Sequence, residues 1–480
     1  MIELFGHFDR LIGAAMLFVE FVGMIAAFDA LMHTRTAQGA VAWCIGLVTF
    51  PLIALPLYYI LGRNRFAAYR AAIDSVRKEN TRLLSPTRAV VDTHRRPFDS
   101  ATHPLEASLD RLTAHTFTRG NRAALLINGQ ATFAAIFDAL ENARHYALVQ
   151  TFIIRDDDLG HRLKEILLRR AAAGVRIHLL YDGIGCRALP SRYVAELRAA
   201  GCQVHAFGSG FFGHRYQINF RNHRKAVVVD GRLAFVGGHN FGDEYLGKSL
   251  ELGHWRDTHI QVEGPAVQDI QAIFLEDWYW TTGERPELIW EPETLDGNCI
   301  SILPLETGPE SRLETCTLFF HELIAGARTR LWITSPYFVP DEGLVNALQA
   351  AALRGVDVRI MLPAYPDHLH VWLASFSYLE QMDAAGVNIY RYQQGFLHQK
   401  VALVDESLAV VGTANLDNRS ARLNFEVSIV VADRPFASKV ADMLQNDFAA
   451  SLKIDATDFR SRPLYFRAAS RIARLFAPVL

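Results

Sequence analysis

The chain has 480 residues, half of them hydrophobic, and its 49 basic and 51 acidic side chains nearly cancel. That balance argues against a nucleic-acid partner, which ordinarily goes with a basic excess, and the length predicts roughly two to four structural units. The five cysteines (Cys44, Cys186, Cys202, Cys299 and Cys316) are scattered and form no Cys-x-x-Cys pair. They read as reduced thiols in a reducing compartment, not as a zinc site or a disulfide framework.

Two apolar runs open the chain, about Leu11–Met32 and about Ala40–Leu61. Each approaches the ~20 residues that cross a bilayer as a helix. Two such runs of this length, with no small-residue cleavage site after the first, predict a two-helix membrane anchor over 1–65 and not a cleaved signal. Glu20 and Asp29 are costly in lipid. Asp29 sits near the end of its run, and Glu20 is expected to face the second helix, an oligomer partner or the interface. Pro51 and Pro56 in the second run are tolerable as kinks. The cluster Arg63, Arg65, Arg70, Arg77, Lys78 and Arg82 after the second run outweighs Arg35 in the link. The positive-inside rule then puts the rest of the chain in the cytoplasm. The segment 66–120 reads as a juxtamembrane helix and linker whose arginines favour anionic headgroups.

The remainder repeats itself. Over 121–285 the pattern gives a helix at Phe133–Asn142, a strand at Tyr146–Ile154, a helix at His161–Ala173 and a strand at Gly174–Tyr181. After a Pro-rich linker over 286–310, the stretch 311–452 gives helix Glu314–Gly326, strand Arg330–Ser335, helix Glu342–Arg354 and strand Gly355–Leu362. Both copies continue with a helix ending in Ala-Gly and a short strand, Gln203–Phe207 and Val387–Tyr392. Alternating helices and short apolar strands predict an α/β fold of two pseudo-symmetric sandwich halves with the site on their seam. Phe211, Phe212, His214, Arg215 and Tyr216 belong to a longer loop of the first copy, suited equally to a headgroup boundary or to packing on the protein. The segment 453–480 interleaves arginines with Leu464, Phe466, Ile472, Leu475 and Phe476. That is a basic amphipathic pattern fit for an anionic membrane or for the catalytic domain.

Each copy carries the same motif. The first is His223-Arg-Lys225 with Asp230 and then Asn240; the second is His398-Gln-Lys400 with Asp405 and then Asn415. Positions two apart on a strand share a face, so His and Lys of each motif point together. A phosphodiester gains negative charge toward its transition state. Two lysines supply fixed positive charge, and two Asn amides supply donors without titrating. One neutral imidazole can attack phosphorus, and the other can protonate the leaving alkoxide. No carboxylate cluster of the Mg²⁺-binding kind stands near either motif, so neither a metal nor a cofactor is expected. Asp257 and Glu426 are the candidates to orient the histidines. Asp230 and Asp405 complete the catalytic motifs, but their strand positions favour a structural role.

Both motifs follow His-x-Lys-x4-Asp with a Gly-rich turn and Asn. On these residues the chain resembles the phospholipase D superfamily, and within it the bacterial cardiolipin synthases with two spans. Flanking segments extend the resemblance over essentially the whole chain, including Asn219–Lys225, Gly242–Gly247, Trp255–His259, Ser335–Pro340 and Ala414–Ser420. The resemblance implies a phosphatidyltransferase of the inner membrane that joins two phosphatidylglycerols into cardiolipin and glycerol through a phosphohistidine. By analogy His223 is the nucleophile and His398 the acid and then the base; pseudo-symmetry leaves the reverse assignment open. Phosphatidylglycerol and anionic membrane lipids are the implied partners, and oligomeric state is not legible. The same site with water or another alcohol as acceptor is the competing enzyme reading. A nuclease is disfavoured by the charge balance and the apolar runs, and a non-catalytic scaffold by two intact motifs.

Overall fold

The apolar strands and the helices between them assemble around one continuous sheet in a computed structural model that describes residues 2–34, 37–62, 92–208, 220–292, 300–311 and 313–477. The first half supplies β1 (Thr118–Ile127), β2 (Tyr146–Thr151), β3 (Arg176–Asp182), β4 (Gln203–Phe207), β5 (Arg221–Asn222), β6 (Ala226–Val229), β7 (Leu233–Gly237), β8 (Trp255–Arg256) and β9 (Thr258–Glu263). The second supplies β10 (Ile300–Thr307), β11 (Arg330–Thr334), β12 (Phe338–Val339), β13 (Asp357–Pro363), β14 (Asn388–Tyr392), β15 (Phe396–Leu397), β16 (Val401–Val404), β17 (Leu408–Gly412), β18 (Leu416–Asp417), β19 (Asn424–Ala432) and β20 (Ser451–Ile454). The sheet order is β4-β3-β2-β6-β7-β9-β1 in the first half, then β10-β19-β17-β16-β11-β13-β14-β20 in the second. The halves join where β1 and β10 pair antiparallel, Thr118 opposite Ile302, across an irregularity at Asn121.

The same strand order on either side of that join is the pseudo-twofold arrangement the repeat predicted. Helices Asn128–Glu141 and Asp158–Ala172 cover one face of the first half, and Thr315–Gly326 and Glu342–Leu353 do the same in the second. Helices Ala266–Thr282 and Arg434–Ala449 lie in the shared core between the halves, with Ile270, Phe274 and Trp278 from one and Phe436, Val440 and Leu444 from the other. β1 and β10 are among the strands not read from the sequence: β1 straddles the boundary drawn at 120 between linker and first half, and β10 falls inside the segment assigned to the inter-half linker. In β10 every residue after Ile300 is buried, so it is a core strand despite its Pro304.

At the N-terminus a continuous helix runs over Ile2–His33, and its Leu11–His33 portion is long and apolar enough to cross a membrane. The second apolar run does not form one comparable helix. It is divided into Ala37–Thr49 and Pro51–Leu57, followed by a π turn at Tyr58–Gly62. Pro51 lacks the N–H that would continue the first piece, which explains the break at Phe50. The second run packs back on the first: Tyr58 donates to Asp29 at 2.7 Å and Cys44 Sγ to Ala27 O at 3.4 Å, while within the second run Trp43 meets the Tyr58 ring edge-on. Glu20 does not face this second run; it is exposed. The juxtamembrane arginines and the aromatic loop Phe211–Tyr216 lie outside the described residues. Of the cysteines, Cys186, Cys202 and Cys316 are buried free thiols and Cys44 is a half-buried one.

Asp230 and Asp405 have positive φ, 53° and 51°, in matching turns. The Asp230 carboxylate accepts from the backbone N–H groups of Arg144, His145 and Tyr146 at 2.7, 2.7 and 2.9 Å. Asp405 likewise accepts from Arg328, Thr329 and Arg330, and these bonds hold its carboxyl below the usual carboxylate range. Each Asp therefore ties the start of a neighbouring strand, β2 or β11, to the end of a motif strand. Truncation at such a site leaves several backbone donors unpaired, at about 1–3 kcal/mol. Asp230→Ala is expected to lower the Tm in detergent while activity per folded molecule survives; a variant with wild-type Tm and no activity would return this residue to the chemistry.

Candidate active site

The two motif histidines each end a two-residue strand that crosses to the other half. β5, which leads into His223, pairs parallel with the start of β19, Asn222 opposite Phe425. β15, which leads into His398, pairs parallel with β8, Leu397 opposite Arg256. The crossing continues through the motif backbone, with His223 N–H donating to Phe425 O at 3.0 Å and His398 N–H to Arg256 O at 2.8 Å. Each His is thereby delivered beside the carboxylate of the opposite half. His223 Nδ1 lies 2.9 Å from Glu426 Oε2, and His398 Nδ1 lies 2.8 Å from Asp257 Oδ2. The sequence named both carboxylates; their exchange between halves is a property of the fold.

The four groups are almost sealed from solvent: His223 and His398 keep 9% and 7% exposure, and Asp257 and Glu426 none. Burial pushes the His223 ring down to about 4 against the pull of Glu426, with Lys225 and Lys400 pushing the same way as burial. Burial and the two lysines also hold His398 well below the usual imidazole range. Both rings are therefore neutral near pH 7. Burial likewise lowers Lys225 to about 7 and Lys400 to about 8, partly offset by Glu426 and Asp257. Their ammonium groups reach back to the motif's own backbone, Lys225 Nζ donating to His223 O at 2.7 Å and Lys400 Nζ to His398 O at 2.5 Å. Phe152 closes the first side, its ring 5.0 Å from that of His223, and Trp255 closes the second at the same distance from His398.

The carboxylates are fixed in different ways. Glu426 accepts from Thr413 Oγ1 at 2.6 Å, Ser420 Oγ at 2.8 Å and Asn424 Nδ2 at 3.1 Å. With His223 beside it, the group stays below the usual carboxylate range despite burial. Asp257 accepts from its neighbour Thr258 N–H at 2.8 Å and from Trp255 Nε1 at 3.3 Å. Gly238 stands where the second half has Thr413. A Cβ there would lie 2.0 Å from Asp257 Oδ1, so only glycine admits this carboxylate.

The asparagines are placed unequally. Asn240 Oδ1 accepts from Ile153 N–H at 3.1 Å and its Nδ2 donates to Tyr245 Oη at 2.8 Å, which leaves one amide N–H for a ligand. Asn415 is buried with its Oδ1 unpartnered. Asp230 and Asp405 are not brought to the site; they stand at the far ends of the motif strands, on the backbone contacts given above.

Several contributors were not read from the sequence. The middle residue of each motif points to the opposite face and ties the strand to a core helix, Arg224 to Asp277 at 2.8 Å and Gln399 to Asp447 at 2.8 Å. Arg256 adds a two-point contact to the same Asp447, at 2.8 and 2.7 Å, linking the halves again. Thr413 directly follows β17, Ser420 lies on the short helix Asn418–Arg422 and Asn424 begins β19, so their convergence on Glu426 has no local sequence signal. His239 contacts His259 through the two Nδ1 atoms at 3.0 Å, and burial lowers both rings to about 3.

Comparison with known proteins places the chain in a family. A family model described as "Cardiolipin synthase, PLD-like domain" matches residues 136–278 and 320–448, and one described as "Phospholipase_D-nuclease N-terminal" matches 21–63. A protein named cardiolipin synthase A from Pseudomonas fluorescens is 47% identical, the match covering 98% of this chain and 99% of that protein. One of the same name from Pseudomonas aeruginosa is 48% identical, covering 98% and 96%. The crystal structure of a phosphatidylserine synthase from Haemophilus influenzae superposes on 78% of this chain and 100% of its own with a TM-score of 0.61 at 15% identity, a likeness of fold. With two family-model matches on the two halves and near-full-length relatives, the chain belongs to the bacterial cardiolipin synthase family, phosphatidyltransferases of the phospholipase D superfamily.

Proposed function

We propose that this chain joins two phosphatidylglycerols into cardiolipin and free glycerol through a phosphatidyl-histidine intermediate. The observation that carries the reading is the crossed pair of His–carboxylate contacts, which puts two neutral imidazoles and two lysines in one buried chamber. With Nδ1 of each ring committed to a carboxylate, Nε2 is left to meet substrate. Glu426, held by three donors besides His223, fixes that ring's aim, which suits His223 to attack.

His223 Nε2 forms a bond to the phosphorus of the first lipid, and the bond from phosphorus to the glycerol oxygen breaks. His398 gives its proton to that oxygen, and glycerol departs. The free hydroxyl of a second phosphatidylglycerol then loses its proton to His398 and attacks phosphorus. The P–N bond breaks, giving cardiolipin and neutral His223. Charge bookkeeping suits the sequence of steps. Two lysines and two carboxylates cancel while both rings are neutral. The phosphodiester adds one negative charge, which favours one imidazolium in exchange. Asp257, at 2.8 Å, stabilises that charge on His398. Lys225, Lys400, Asn240 and Asn415 surround the anion and donate most strongly as its charge grows.

The wider setting follows the same reading. The helix Leu11–His33 anchors the chain in the inner membrane, the second apolar run completes a hairpin, and the halves face the cytoplasm, where the arginines after that run favour them.

Purified protein given phosphatidylglycerol alone is expected to release cardiolipin and glycerol in equal amounts. His223→Ala should abolish both. His398→Ala should cut turnover about 10³-fold, the usual worth of a general acid-base group. Alkaline quenching and mass spectrometry should find the phosphatidyl group on His223. Label on His398 instead would reverse the two roles, and phosphatidic acid without cardiolipin would make the chain a hydrolase.

The lysines predict a pH limb. Charged below their lowered values of about 7 and about 8, they lose that charge as pH rises through this window. For the anionic substrate, kcat/KM is therefore expected to fall between neutrality and pH 9. Lys225→Arg and Lys400→Arg, which remain charged, should move that limb upward whatever their absolute rates; an unmoved limb assigns it to another group.

A further inference from the structure

The helix Leu464–Leu475 near the C-terminus is turned the wrong way round for a surface helix in water. Its inner side is anchored on the second half. Phe466 meets the rings of Trp372 and Phe376 edge-on at 5.8 and 5.2 Å, Ser470 and Ala473 are buried, and Arg474 lies 4.5 Å from the centre of the Tyr378 ring. Its outer side carries Leu464, Tyr465, Ile472, Leu475 and Phe476, exposed by 74, 77, 57, 77 and 58%. These positions, with Ala468 and Arg471, recur every three to four residues and form one stripe. Surface helices normally place such a stripe inward and their polar residues outward.

The charges that this stretch itself carries have one sign. Arg460, Arg462, Arg467, Arg471 and Arg474 come from this stretch, and no acidic residue occurs between Phe459 and Ala477. Glu380, 2.9 Å from Arg460 and 3.9 Å from Arg471, is a carboxylate facing the helix from the adjoining element. An apolar stripe with arginines along its edges matches a boundary that is greasy inside and negative at its rim. Arginine stems can lie along the apolar layer while their heads meet phosphates, and a tyrosine at one end suits the headgroup level. The same chain also carries the Leu11–His33 helix, so a bilayer is always within its reach.

We infer that the outer face of helix Leu464–Leu475 lies in the headgroup layer of an anionic membrane and docks the second half on the lipid surface. It deepens the proposed reaction, resting on the reading that the substrate is a membrane lipid. The docked helix adds a contact by which the halves, beyond their N-terminal anchor, meet that surface. Burial of such a stripe some 5–10 Å into the interface leaves the inner contacts to Trp372 and Phe376 undisturbed.

The test uses the full chain in bilayers, with an environment-sensitive fluorophore on Ile472→Cys or Leu475→Cys and the label on the unsubstituted chain as background. Arg192→Cys, on a distant exposed helix, serves as reference. In bilayers containing phosphatidylglycerol, a doxyl-labelled lipid should quench the helix label about twofold relative to the reference, as for a stripe in the headgroup layer. Replacing phosphatidylglycerol by phosphatidylcholine should weaken that quenching. Equal quenching at all three positions overturns the proposal, as does quenching indifferent to lipid charge. An emission shift that grows with protein concentration without lipid quenching also overturns it and assigns the face to a second copy. Cardiolipin formation is measured on the same bilayers. Product without helix quenching sinks the docking alone, and quenching without product sinks the reaction alone.

Discussion

Two short crossed strand pairs govern the rest of the molecule. β5 lies on β19 and β15 lies on β8, so each half receives the histidine of its neighbour beside its own carboxylate. A buried imidazole left without such a partner would have no fixed tautomer and an open hydrogen-bonding requirement. The long sheet, continuous through β1 and β10, keeps these crossings in register. The ties from Arg224 to Asp277 and from Arg256 to Asp447 fix the back of the same strands to the core helices. Side chains on both faces of the motif strands are thus committed, one face to chemistry and the other to position.

The electrostatics follow from that enclosure. Two lysines buried together would repel each other strongly, and the carboxylates crossing from opposite halves offset this. Burial outweighs that offset, so both ammonium groups and both rings titrate low.

Much of this was legible beforehand because the chemistry is written twice. A strand of alternating His and Lys is ambiguous by itself, but two copies with the same internal spacing identify the motif strands, the asparagines and the halves. Asp257 and Glu426 were also visible as the acidic residues following each motif. What the sequence did not carry was which carboxylate serves which histidine, because strand exchange is a long-range property with no local signature. β10 was hidden by Pro304 and its neighbouring Pro-rich stretch. The second apolar run was read as one helix with Pro51 and Pro56 as kinks, but the N–H missing at Pro51 divides it into two pieces. The aspartates at 230 and 405 show the reverse case. Grouped with the reacting residues by their motif, they belong to the scaffold by their positive φ and their backbone contacts.

The duplicated halves are alike in plan but no longer interchangeable in parts. Where the second half places Thr413 against the longer carboxylate of Glu426, the first has bare Gly238 against the shorter Asp257, with no space for even a methyl group. The residue after each Gly-rich turn and the length of the facing acid are thus a matched set, and neither member can drift alone. Threonine in place of Gly238 would bring a hydroxyl-bearing side chain into an occupied space, and glycine in place of Thr413 would leave Glu426 without one of its supports. The two walls of the chamber are therefore held by different fittings, one by a hydroxyl and the other by the absence of a side chain, and that difference gives a duplicated fold a fixed polarity.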